Sequence, residues 1–190
     1  MKFYTIALIT VLFVALTAFV TINAEGVNKP QEGVGINWMT FEQAVKLNAK
    51  KPKKMIIDVY TDWCGWCKVM DKQTFSDPII IEYVNAIYYA VKLNAEMTDK
   101  LTFQGVDYGF VVTNPASNKG YHAFAAKLLD GKLSYPSTVV LDEQYGRIGL
   151  VPGFLRPEQF DQMLKYYGGN HNKTTPYEEF TKNYKSPYGQ

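Results

Sequence analysis

Cysteine and histidine are scarce in this chain, and that scarcity excludes several functions. There are two cysteines, Cys64 and Cys67, and two histidines, His122 and His171. A disulfide framework needs more cysteines at longer spacings. A bridge over so short a loop constrains the unfolded chain little, so stapling is a weak reason for the pair. A structural zinc site needs four ligands, and one Cys-x-x-Cys with two histidines not spaced as a pair does not supply them. Both histidines lie far from the cysteines in sequence and read as surface or satisfied core residues, not catalytic bases. An excess of one charge is also lacking, since the formal net charge is +2. The lysine cluster at 50–54 reads as a solvated turn, and nothing else offers a basic stripe, so a nucleic-acid partner has no electrostatic support. No internal repeat is found.

Apolar material, by contrast, is ample. In 190 residues, 47% are hydrophobic and 15% aromatic, enough for one domain with its own core plus appendages. Residues 1–24 begin with Met1-Lys2, continue in an apolar stretch from Phe3 to Val20, and end in Ile22-Asn23-Ala24 before Glu25. That order predicts a cleaved export signal, or a retained membrane anchor over 3–20, since the stretch is long enough to span a bilayer. It has no polar face, which argues against a buried core helix. No cysteine lies near it, so a lipid-modified cysteine is excluded there. Residues 25–37 read as a linker.

The remainder alternates helix and strand signals. Thr40-Phe41-Glu42-Gln43 fits a capping box and predicts a helix to about Ala49. Met55 to Tyr60 is a short, β-rich apolar run, hence a buried strand. Helix is expected after the cysteine pair through Lys72, and from Pro78 through about Ala86. Strands are expected over 87–93, 137–141 and 147–151, the last two close enough to pair as a hairpin. A final helix starts at Pro157 and stops at Gly168-Gly169. Between Asn94 and Ser134 the pattern is poor, with turn signals and one helical stretch from Tyr121 to Leu129. The polar tail, 170–190, is expected to pack loosely or not at all. Its Asn172-Lys173-Thr174 fits a glycosylation sequon, which matters only in a eukaryotic secretory route. This order implies a central sheet with helices on both faces.

Two thiols at i and i+3 are neighbours on one helix face and can close a disulfide. At a helix N-terminus the first thiol meets unsatisfied N–H groups and the positive end of the dipole, which favour the thiolate, the form that attacks disulfides. Cys64, at the strand-to-helix turn, is therefore assigned as the nucleophile. Cys67, one turn deeper, is assigned to resolve the mixed disulfide. Gly65 is expected to permit the tight turn. Asp58 sits six residues before Cys64 in an otherwise apolar strand. A carboxylate buried there has a raised pKa and can relay a proton to and from Cys67; the alternative is that it faces solvent at a strand end. Trp63 and Trp66 flank the first cysteine and offer an apolar platform to a polypeptide, with Trp66 exposed and Trp63 partly packed.

The run Ile57-Asp58-Val59-Tyr60-Thr61-Asp62-Trp63-Cys64-Gly65-Trp66-Cys67-Lys68 resembles the active-site strand, turn and helix of thioredoxins. Further matches follow in the family's order, and the resemblance covers about Thr40 to Gly168. Val91-Lys92-Leu93-Asn94 is similar to the strand whose lysine lies near the buried aspartate. The resemblance thus implies that Lys92 tunes Asp58; a lysine reaching along a strand end to water is the plain alternative. Tyr135-Pro136-Ser137-Thr138 resembles the loop whose proline is cis and faces the cysteines, leaving the backbone of Tyr135 open to pair with a substrate strand. The plain alternative is a proline that starts a strand. Gly153 matches a glycine of the family's substrate groove. Two departures stand out. Gly65-Trp66 replaces the Gly-Pro of thioredoxins proper and is similar to bacterial envelope domains, including the periplasmic ends of transmembrane thiol reductases. Residues 94–134 form an insertion that lengthens the chain before the cis-proline loop.

The resemblance implies an α/β thioredoxin fold over 38–169, with a central mixed sheet flanked by helices. It implies a thiol–disulfide oxidoreductase, a reductase or isomerase of exported proteins, using the Cys64–Cys67 dithiol–disulfide couple. The alternatives are a disulfide-donating oxidase and a non-catalytic module that binds peptides with the same groove. No cofactor is implied. The expected partners are disulfide-containing exported proteins and a membrane thiol reductase as electron donor, with membrane contact only through an uncleaved N-terminal segment. The expected location is the bacterial periplasm or cell envelope, where disulfides persist.

Overall fold

The computed structural model describes residues 35–189. The expected signal or anchor, and the linker up to residue 34, lie outside them. Among the described residues no helix is long and apolar enough to cross a membrane.

Five strands form the central sheet in the order β1–β3–β2–β8–β9. They are β1 Trp38–Met39, β2 Lys54–Tyr60, β3 Tyr88–Asn94, β8 Ser137–Leu141 and β9 Arg147–Pro152. β1 and β2 run parallel to β3, while β8 runs antiparallel to both β2 and β9. The sheet is therefore mixed, as the resemblance implied, and β2 lies at its centre. Successive side chains of a strand point to opposite faces. Met55, Ile57 and Val59 of β2 enter a core with helix α1, Phe41–Asn48, and with Phe103 and Phe124 from the insertion. Ile56 enters a second core with helices α2, Gly65–Gln73, α3, Pro78–Ile87, and α5, Pro157–Gly168. By the same alternation Asp58 faces this second layer.

The helix starts follow their sequence signals. The Gln43 N–H donates to Thr40 Oγ1 at 3.2 Å, and the Thr40 N–H donates to Gln43 Oε1 at 2.9 Å, closing the capping box of α1. Asp77 accepts from the Ile79 and Ile80 N–H groups ahead of Pro78 in α3.

Three expectations are corrected. The linker was drawn to residue 37, but its last residues are fixed: Ile36 is buried, and Asn85 of α3 bonds both the Asn37 N–H and the Gly35 carbonyl. Helix was expected from Tyr121, but α4 spans Ala123–Leu128, because Tyr121 and His122 pair with Val111 and Phe110. The insertion consists of two hairpins ahead of that helix: β4 Leu101–Phe103 with β5 Val106–Tyr108, and β6 Phe110–Asn114 with β7 Lys119–His122. The tail was expected to pack loosely. Its described part instead forms a 3₁₀ turn, His171–Lys173, and helix α6, Tyr177–Asn183, docked on α5. Tyr177 and Phe180 stand against the Tyr166 ring at 5.0 and 5.2 Å. Tyr184 donates its hydroxyl to buried Asp161, and Tyr188 donates to Asp77 at 2.7 Å.

Candidate active site

β2 delivers the chain to the N-terminus of α2, where Cys64 is the N-cap residue. An N-cap side chain faces N–H groups that have no partner within the helix. Accordingly the Cys67 N–H points at Cys64 Sγ, 3.1 Å away. Cys64 and Cys67 are joined as a disulfide, with an S–S distance of 2.10 Å and 5.3 Å between Cα atoms. Both residues are buried. Gly65 has no atom within 4 Å of where a Cβ would stand, and its φ is not in the left-handed region. The turn therefore does not require glycine, contrary to the expectation. Gly153 does sit in that region, at φ 93°.

The Tyr135–Pro136 peptide is cis. The Gly153 N–H donates to the Pro136 carbonyl at 2.7 Å, so the proline loop and the end of β9 are tied together. Each tryptophan meets one of these segments. Trp63 lies edge-on to Tyr135 with ring centroids 6.0 Å apart, and Trp66 lies 5.6 Å from Phe154. Both indoles remain exposed, Trp63 at 67% and Trp66 at 62%. Trp63 was expected to be partly packed; it is instead largely exposed, held by the indole N–H bonded to both oxygens of Glu96 at 3.0 Å and by the Tyr135 ring. Burial, with the Glu96 charge second, pushes the Tyr135 phenol up to about 12.

Asp58 is buried in mid-sheet, directly opposite Lys92 on β3 and Thr138 on β8. Lys92 Nζ donates to Asp58 Oδ2 at 2.7 Å and to Asp71 Oδ1 at 2.5 Å. It also stands 5.0 to 5.1 Å from the ring centres of Trp38, Tyr60 and Phe75. Asp58 Oδ1 and Thr138 Oγ1 have no hydrogen-bond partner among the described residues. Burial raises the Asp58 carboxyl above its ordinary value, and outweighs the opposing pull of the Lys92 charge. Burial also pulls the Lys92 ammonium down, but its two carboxylate partners outweigh this and raise it. Asp71 lies one turn past Cys67 on α2. Because Lys92 reaches both carboxylates, Asp58 lies against the helix that carries Cys67.

The structure thus brings Cys64, Cys67, Trp63, Trp66, Tyr135, Pro136 and Gly153 to one end of the sheet, with Asp58 and Lys92 in the layer beside α2. The histidines stand apart. His122 is buried, its Nδ1 accepting from the Phe124 N–H and its Nε2 bonded to the Asp99 carbonyl. His171 lies tilted against Phe180, ring centres 4.7 Å apart, in the docked tail. Asp71, Glu96, Thr138 and Phe154 were missed. The spacing of Asp71 four residues after Cys67, on one helix face, was the available signal. The other three are brought in by strand register and loop packing, which leave no local pattern.

A family model described as a thioredoxin-like domain matches residues 41–168. The thiol:disulfide interchange protein DsbD of Pectobacterium atrosepticum is 31% identical over 121 residues, which are 63% of this chain and 17% of that protein. The DsbD of Photorhabdus laumondii is 45% identical over 42 residues, 22% of this chain and 7% of that protein. The chain spans less than a fifth of the length of the curated relatives it matches. Among solved structures, a DsbH oxidoreductase aligns with a TM-score of 0.52 at 14% identity, covering 76% of this chain and 92% of that one. A thioredoxin from Thermus thermophilus aligns with a TM-score of 0.51 at 15% identity, covering 70% and 88%. These two likenesses concern the fold.

Proposed function

The chain belongs to the thioredoxin-like domain family, with a Cys-x-x-Cys pair at disulfide distance, and on that premise we propose that it reduces or isomerises disulfides of exported proteins. The observation that carries this reading is Cys64 at the N-cap of α2 with the Cys67 N–H aimed at its sulfur. In the dithiol form, the Cys64 thiolate attacks one sulfur of a substrate disulfide. That bond breaks, the leaving sulfur takes up a proton, and Cys64 is left in a mixed disulfide. Cys67 then gives its proton to Asp58 and attacks Cys64 Sγ, releasing the second substrate sulfur as a thiolate that takes up a proton from water. The substrate gains two electrons and two protons, and the chain ends with Cys64 bonded to Cys67.

The polypeptide lies between Trp63 and Trp66, along the Tyr135 backbone and beside Gly153. Export is supported by the apolar N-terminal stretch, in the form of a cleaved signal or a retained anchor. In the periplasm or cell envelope, electrons return through a membrane thiol reductase, because an exported domain is out of reach of cytosolic reductants. The reductive direction is favoured by charge. A strong oxidant stabilises its own reduced thiolate form, whereas the group buried against α2 here is a carboxylate, which opposes a thiolate.

Two measurements test this. The full chain carrying Cys67→Ser should accumulate mixed disulfides with exported proteins through Cys64, and the chain carrying Cys64→Ser should not. Equal trapping by both would overturn the assignment of roles. Equilibration with glutathione should place the couple near the roughly −270 mV of thioredoxin; a value near about −120 mV would make the protein an oxidant instead.

A further inference from the structure

The proposed exchange leaves a proton on a group that water does not reach. The side chain of Asp58 is 3% exposed. Among the described residues its hydrogen bonding is to Lys92 alone. The Lys92 side chain is 22% exposed, and its second carboxylate partner, Asp71, is 47% exposed. Three groups at 2.7 and 2.5 Å therefore make one continuous chain of hydrogen bonds from the buried carboxylate to solvent. We propose that Asp71 is a positioning residue for the thiol exchange: it holds the Lys92 ammonium in place between the two carboxylates and forms the solvent end of the path by which the Asp58 proton enters and leaves. The proposal rests on the reading of Asp58 as proton acceptor for Cys67.

The arrangement is built for that task. Asp58 Oδ1 is free to take the thiol proton, while Oδ2 is committed to Lys92. The ammonium is gripped on its remaining sides by Trp38 of β1, Tyr60 of β2 and Phe75 just after α2, which hold a cation without competing for its protons. The Tyr60 phenol is a further titratable group beside the ammonium, and the Thr138 hydroxyl stands opposite Asp58 on β8. When Cys67 attacks Cys64, its proton passes to Asp58. Lys92 first gives one proton to Asp71, the amine left behind takes the proton from Asp58, and Asp71 releases its own to water. Lys92 ends as it began, an ammonium, and the net result is one proton moved from Cys67 to solvent. The negative charge of Asp71 also acts on Asp58 directly and supports its raised carboxyl.

The test uses the reduced full-length chain mixed with dithiobis(nitrobenzoate) in stopped flow across pH. The first coloured thiolate released reports attack by Cys64, and the second reports attack by Cys67. Asp71→Asn should slow the second release about tenfold, a fraction of what a general base contributes. It should also move the acid limb of that phase to lower pH. Asp71→Glu should restore both. In a Lys92→Met background, where the path is already cut, Asp71→Asn should add no further slowing above the acid limb, whatever its charge does to the position of that limb. A wild-type second phase in Asp71→Asn, with its acid limb unmoved, would overturn the proposal, and so would an equal slowing with and without Lys92. Asp58→Asn separates the two levels. If it leaves the second phase unchanged, the reading of Asp58 fails and this inference with it. If it slows that phase and Asp71→Asn does not, the assignment of Asp71 alone falls.

Discussion

Ile57 and Asp58 are consecutive residues of the same central strand, both buried, and they enter opposite layers. Ile57 joins an apolar core closed by α1 and the inserted segment. Asp58 lies in a polar row, Lys92–Asp58–Thr138, set between the sheet and α2. The first residue stabilises the fold by leaving water. The second pays for its place, because burial alone disfavours an ionised carboxylate. Both faces of the sheet carry an apolar core, but the α2 side also takes in this carboxylate, which it tolerates through a lysine shared with a more exposed carboxylate.

The largest effect should come from the apolar side. Ile57→Ala removes buried methylenes and leaves a cavity in a layer closed by aromatic rings, so it should cost about 2–5 kcal/mol. Denaturant unfolding measures this, and the rate of thiol exchange per folded molecule should be unaltered. A loss of exchange rate in the folded fraction would break the division between the faces.

The neighbouring substitution should have the opposite sign for stability. A carboxyl whose folded pKa is raised contributes stability below its unfolded pKa, and that contribution is lost as pH rises through the folded pKa. Asp58→Asn removes this loss. Removing one partner of a buried pair is often costly, but Lys92 keeps Asp71 at 2.5 Å and is not orphaned. Asp58→Asn should therefore raise the Tm at pH 8 and match the wild type near pH 3.5. It should also slow the Cys67 step about a hundredfold, within the usual range for loss of a general base. A Tm lowered at pH 8 would show that the Lys92 pair outweighs burial after all.

The two faces were not equally legible from sequence. The strand Met55–Tyr60, the capping box at Thr40 and the Cys-x-x-Cys before a helix are local patterns, and each was placed from a few adjacent residues. Asp58 stood out because it interrupts an apolar run. Its surroundings left no local pattern: Lys92 was reached only through the family resemblance and Thr138 not at all, since both meet it through the register of three strands that are distant in sequence. Glu96 reaches Trp63 from the start of the insertion, whose short strands carry too few residues for an alternation to show. In the tail, Tyr177, Phe180 and Tyr184 do fall on one helical stripe. The surrounding polar residues hid it, because low average hydrophobicity says little about a face that packs by rings and hydroxyls.

The smallest predicted effect concerns pH and would sharpen the contrast between the layers. His122 lies beside the apolar core, and burial lowers its pKa. Its Nδ1 caps α4 by accepting the Phe124 N–H, so the neutral ring fits the site and protonation there would remove the acceptor. A depressed folded pKa contributes stability that is present above the unfolded value of about 6.5 and lost as pH falls through the folded one. The His122 slope is opposite in sign to the Asp58 slope, so the two offset each other in the wild type wherever their windows overlap. In an Asp58→Asn background the histidine acts alone, and the Tm should fall on acidification. Adding His122→Asn, which keeps a capping acceptor without a titrating ring, should flatten the curve again. If the acid slope persists in that double variant, buried titration is not confined to these two residues, and the apolar layer is less free of charge than its composition indicates.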